Sequence, residues 1–194
     1  MANSNAPFGL RPVGKLGSNI NNEGTSKYQI VSGETDVVMK GDLVKLEASG
    51  YITKSGDGDA VAAIGVFNGC FYQDPTTQKP TWSNYYPGSI TVTQGTIDAY
   101  VYDDPNTLFE IQANGIIAQD KVGRNADIVY AAGSTINGQS KTEMNSTVSG
   151  AGVAAQLRIV RISEDPDNSD IAATDANWIV RINEHQYYAN TAGV

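Results

Sequence analysis

The sequence predicts a mainly β protein: a single β-barrel-like or β-sandwich-like domain with an extended N-terminal arm and long loops. Two observations carry that expectation. In Thr96–Gln112, Ile97, Ala99 and Val101 alternate with Asp98, Tyr100 and Tyr102, the period-two pattern of a strand with two different faces. Twenty glycines and ten tyrosines, with few long apolar helical patterns, point the same way. At 194 residues with 40% hydrophobic content, the chain is long enough for one core, burying roughly 70% of its extended surface.

Residues 1–26 hold Pro7, Pro12, four glycines and many Ser and Asn residues, with no helical or strand period. Such a segment does not repay its ordering entropy alone. It reads either as a frayed terminus or as an arm that orders against a neighbouring subunit. The segment carries Phe8, Leu10, Arg11 and Val13, of which an exposed Phe8 and Leu10 would supply the apolar anchors, and deletion of residues 1–14 is expected to leave the body folded. The body, 27–194, opens with short strands at Tyr28–Val31, Thr35–Met39, Leu43–Leu46 and Tyr51–Thr53, separated by glycine turns. Lys54–Asp59 is glycine-rich without the order of a phosphate loop. Ala60–Phe67 is apolar apart from Gly65, as suits a strand buried on both faces with a bulge or close backbone approach at the glycine.

The loop 71–88 (FYQDPTTQKPTWSNYYPG) has three prolines and five aromatics, which argue against regular structure. It reads as a loop folded over its own core, as a contact surface, or as an aromatic platform in which Trp82, Tyr85 and Tyr86 stack on a sugar ring. Ile90–Thr93 reads as a strand. Across Asp103-Asp104-Pro105-Asn106, the runs 96–102 and 108–112 read as a hairpin. Residues 117–125 suit a helical turn or two, and 127–130 a strand. The loop 131–152 is rich in Ser, Thr, Gly and Asn and is expected to be exposed. Leu157–Ile162 and 177–185 are strong strands.

Thirteen basic residues against twenty-one acidic give a net charge of −8, which argues against a nucleic-acid partner. Cys70 is the only cysteine, so no intrachain disulfide forms. The N-terminus lacks secretory-signal features, and no apolar run approaches the roughly 18 residues of a membrane span. The expectation is a soluble chain made in a cytoplasm, with no membrane partner. His185 is the only histidine, and neither it nor Cys70 lies in a nucleophile motif. The acidic run 164–170 lacks the glycine and final acid of a calcium loop, and Asp103 and Asp104 fit the turn they stand in. No catalytic residue, metal or cofactor is expected.

Several segments, in order, resemble a family of tailed-bacteriophage structural proteins: PFGLRPVG, GDLVKL, AIGV, YVYDDPNTLFEIQ, GRNADIV, AQLRIVRI with DPDN, and NWIVRINEHQY. The family is that of capsid decoration, or cement, proteins. The resemblance implies a β-rich body, oligomers that are often trimers, attachment outside the phage head across major capsid protein subunits, and no enzymatic activity. Carried over, Pro7, Phe8, Gly9, Leu10, Arg11 and Pro12 form the motif expected to engage capsid or neighbouring subunits. The expected location is the virion exterior, after synthesis in the host cytoplasm. The alternative is a head-fibre or tail-associated module that binds glycans through Trp82, Tyr85 and Tyr86.

Overall fold

The structure, a computed structural model, describes residues 3–17, 24–150 and 153–188. It is mainly β, with antiparallel sheets in a sandwich-like arrangement. One sheet has five strands in the order β1 (Arg11–Lys15), β8 (Thr107–Gln112), β13 (Asn177–Ile182), β12 (Leu157–Ile162) and β9 (Asn125–Ala126). The second runs β2 (Ser26–Ile30), β7 (Ile97–Tyr102), β5 (Ala63–Gln73), β3 (Leu43–Leu46) and β4 (Ile52–Lys54), and β6 (Pro80–Ser83) also pairs with β5. A short ladder joins β10 (Ile128–Val129) to β11 (Glu143–Met144).

Two buried clusters hold these layers. Phe109, Ile111, Leu157, Ile159, Trp178, Val180 and Ile182 from the five-stranded sheet pack with Leu43, Ala63 and Val66 from the other. On the opposite face of β3 and β5, Val44, Ile64, Phe67 and Cys70 pack with Ile97, Ala99, Val101 and Tyr86. From Ala63 to Phe67, β5 is thus buried on both sides, whereas Ala60–Ala62 of the expected strand precede it and Val61 is exposed. The outer strands β2 and β4 of the second sheet approach each other within 8 Å, so that sheet curls around its own cluster. At Gly65 a Cβ would lie 2.2 Å from the Tyr102 carbonyl oxygen. The expected close approach is there.

The expected hairpin is not. Both strands form where the sequence places them, and the turn is tight, with the Thr107 amide donating to the Asp104 carbonyl at 3.0 Å. Yet β7 pairs with β2 and β5, whereas β8 pairs with β1 and β13. The turn is an arch that carries the chain from one sheet to the other. Local turn chemistry fixes a reversal, but it does not choose the neighbour.

The arm also differs from expectation. Residues 18–23 and 1–2 lie outside the described residues, but 3–17 pack on their own chain. Leu10 is 2% exposed and belongs to the inter-sheet cluster, and its amide donates to the Gly41 carbonyl at 2.9 Å. Arg11–Lys15 forms an edge strand on β8. Further out, the Ser4 amide donates to Asn168 Oδ1 and the Ala6 amide to Gln112 Oε1, both at 2.9 Å. Gly9 has φ +72°, and a Cβ there would lie 2.7 Å from the Gly41 carbonyl. The segment is aperiodic because its contacts fall in turn on Asn168, Gln112, Gly41 and β8. These contacts replace the expected free arm with a segment built into the body.

The two long loops are shorter than their composition suggests. Within 71–88, β5 continues to Gln73 and returns as β6. The reversal is closed by Asp74 Oδ1, which accepts from the Thr76 and Thr77 amides at 2.9 and 2.7 Å. Pro80 starts its strand, a position where no ladder donor is lost. Within 131–152, Ser140 and Thr142 are buried against the Asp42 carboxylate, at 2.5 and 3.3 Å, and Ile136, at the tip, is 98% exposed. Residues 151–152 lie outside the described residues. Thr35–Met39 and Ile90–Thr93 are not strands, although Val38 forms a bridge to Tyr86.

Candidate interaction face

The six residues of the arm motif divide between core and surface. Gly9 and Leu10 are buried. Arg11 projects from β1, its guanidinium 4.7 Å from the centre of the Phe8 ring and paired with the Glu110 carboxylate. Phe8, Leu10, Arg11 and Pro12 line a cleft of about 270 Å³ with Lys40 and Tyr102. Of the six, Arg11 is exposed, Pro7, Phe8 and Pro12 are half-buried, and Arg11 and Pro12 lie on the edge strand β1.

The aromatic trio of 71–88 is not brought together. Tyr86 is fully buried, and its hydroxyl donates to the Glu34 carbonyl at 2.8 Å. Tyr85 is half-buried. Trp82 is 52% exposed and lies 5.2 Å from the Tyr100 ring, with Phe71, 40% exposed, directly opposite it across β5 and β6. The alternation of β6 turns Trp82 outward, whereas Tyr86 lies beyond the strand and faces the second core. Sequence proximity does not reveal Phe71 and Tyr100 as its companions, because they sit on other strands.

Cross-strand register assembles a larger face on the five-stranded sheet. Arg161 stands opposite Ile179, Ile179 opposite Glu110, and Glu110 opposite Arg11. Residues paired across strands share a face, so these four cross the outer side of the sheet. The neighbouring row pairs Arg158 with Arg181. Glu110 is buried and also accepts from Ser163 Oγ at 2.5 Å. Arg124, just ahead of β9, lines a recess of about 380 Å³ with Arg158, Asn125 and Asn183. A second recess, about 420 Å³, includes Lys15, Glu110, Arg161 and Ile179. Every arginine in the chain lies on or beside this sheet.

Cys70, Asp103, Asp104 and Asp165 each make contacts within the fold. Burial pushes the Cys70 thiol up to about 12, and its Sγ faces the Tyr85 carbonyl at 3.5 Å. Asp103 accepts from Ser26 Oγ and the Tyr28 hydroxyl at 2.9 and 2.8 Å, and Asp104 pairs with Lys15. In the acidic turn, Asp165 accepts from the Asp167 amide and from Asn177 Nδ2 at 3.1 and 3.0 Å. No group of three or more metal-ligating side chains occurs among the described residues, and no helix among them is long and apolar enough to cross a membrane.

His185 is fully buried, and its Nδ1 accepts from the Tyr187 amide at 3.1 Å. Desolvation lowers its pKa to about 4, against the opposing fields of Asp103 and Asp104. The folded value lies below the unfolded one, so the unfolded chain takes up the proton first. Stability from this group is present above pH 6.5 and is lost as pH falls from there toward 4, by about 3 kcal/mol in all. Urea unfolding is expected to show about 2 kcal/mol of this loss between pH 7 and pH 5, and His185→Gln to flatten it. Asp42, whose pKa burial raises, acts in the opposite sense in both proteins.

Comparison of the chain with protein-family models, with curated proteins and with solved structures finds no match.

Proposed function

We propose that this chain is a structural virion protein of a tailed bacteriophage, a decoration protein bound outside the head across major capsid subunits. One observation carries the reading. Five of the segments that resemble such proteins, although scattered from residue 7 to residue 187, take in β8, β9, β12 and β13 whole and β1 except for Lys15, with only the end of β7 from the other sheet among them. The other two, GDLVKL and AIGV, supply Leu43, Ala63 and Val66 to the core directly behind it. The resemblance thus follows one layer of the molecule and its support. In the least typical parts of the sequence, 71–88 and 131–152, the described residues contribute no strand to that layer.

Such a role needs contact area and rigidity. Attachment at many repeated sites multiplies modest affinity, and a preformed sheet face loses little entropy on docking. Self-association into a trimer belongs to the same reading, with three times the chain mass expected in sedimentation.

Mass spectrometry of purified particles is expected to find the protein at a copy number comparable with the shell subunits. Its confinement to the soluble fraction of infected cells would end the proposal. A glycan-binding role would rest on Trp82 with Phe71 and Tyr100. Saturable sugar binding lost in Trp82→Ala, with only a few copies per particle, would move the assignment there.

A further inference from the structure

We propose that the outer face of the five-stranded sheet docks onto a carboxylate-rich protein surface, which its arginines grip. This deepens the decoration-protein reading and rests on it.

The distribution of cation types is the first ground. All five arginines fall on or beside this sheet, whereas the eight lysines are spread over both sheets and the loops. The guanidinium fork matches a carboxylate with two parallel hydrogen bonds, which an ammonium cannot do. The second ground is that most of this charge is not used within the fold. Arg11 pairs with Glu110, and Arg161 reaches the exposed Glu164 only at 3.9 Å. Among the described residues, Arg124, Arg158 and Arg181 have no carboxylate within 4.0 Å. Arg158 donates to Asn125 Oδ1 at 3.0 Å, and Arg181 to the Tyr188 hydroxyl at 3.2 Å. These are neutral partners, and they leave part of each fork open.

The third ground is geometric. Arg158 and Arg181 stand directly opposite one another, an arrangement of like charges that opposes sheet pairing. A bulge between Ile159 and Arg161 then shifts the register. In an unbroken strand, residues three apart face opposite sides. Here the extra residue returns Arg161 to the side of Arg158. The fold thus tolerates a repulsive pair and bends a strand, and both features concentrate guanidiniums on one face of a protein with net charge −8.

Buried Ile179 and half-buried Leu108 lie between the charges. Arginine with interleaved apolar side chains is the composition of a protein contact.

The test uses full-length protein added to purified heads that lack it. Arg158→Glu with Arg161→Glu is expected to fold, because the new carboxylate at position 158 faces Arg181. Occupancy on heads should fall by about tenfold or more. Arg158→Lys with Arg161→Lys should bind at an intermediate level, and Lys79→Glu with Lys141→Glu should bind like the wild type. Wild-type occupancy in the charge-reversed protein would overturn this inference and leave the decoration-protein reading in place. Failure of the wild-type chain to bind heads would overturn both. Loss of self-association with occupancy unchanged would assign the face to a second copy of the chain. Tighter, arginine-dependent binding to a DNA duplex than to heads would assign it to nucleic acid. Either result sinks the proposal.

Discussion

Deletion of residues 1–15 is expected to unfold the protein, not to trim a free arm. Leu10 alone sits in the inter-sheet cluster at 2% exposure, and Leu10→Ala should cost about 2–5 kcal/mol through lost burial and the remaining cavity. The full deletion also strips β1 from the edge of β8 and leaves Gln112 and Asn168 without the backbone groups of Ser4 and Ala6. A net stability of about 5–15 kcal/mol does not absorb all of these losses. Circular dichroism and urea titration of the truncated chain check this directly. A truncated chain that melts at the wild-type temperature would show that the N-terminal segment is dispensable after all.

Gly65→Val is expected to have an effect of similar size. The added Cβ would meet the Tyr102 carbonyl oxygen at 2.2 Å and Val101 Cγ1 at 2.7 Å, so β5 and β7 must move apart at the centre of their sheet. Backbone cannot yield as a flexible side chain does. The cost is about 3 kcal/mol or more, at the severe end of the range for single substitutions. Gly56→Ala is the control, because a Cβ there meets nothing within 4 Å. Its midpoint in urea should stay within about 0.5 kcal/mol of the wild type. Equal midpoints for all three proteins would remove the close-approach argument.

These two sites show where the sequence is legible and where it is not. Gly65 is legible because a lone glycine in an apolar run marks a bulge or a close backbone approach. Leu157–Ile162, Leu43–Leu46 and the two strands around Asp104 are legible from period and turn chemistry. Leu10 is not, because its burial comes from contacts with elements distant in the chain, which leave no local period. The arch between β7 and β8 escapes for a related reason. A turn that reverses direction looks the same in sequence whether its strands pair with each other or with distant ones. Trp82 and Tyr86 group together by proximity in the chain, although the end of β6 sends them to opposite sides.

The arginine face is partly visible. The segregation of five arginines into segments 11, 124, 158–161 and 181 can be seen in the sequence. The bulge that aligns Arg158 with Arg161 cannot, since LRIVRI read as a regular strand places them on opposite faces.

The order of strands in the five-stranded sheet bears on how the molecule is made. β13 lies between β8 and β12, yet the ribosome produces it after every other strand of that layer. Until it emerges, β1 and β8 have no connection to β12 and β9, and the sheet stays open. Closure is therefore a late, long-range event, and a nascent or prematurely terminated chain never presents the continuous cationic side. A chain that ends before β13 would therefore lack the continuous arginine row on which the proposed docking depends.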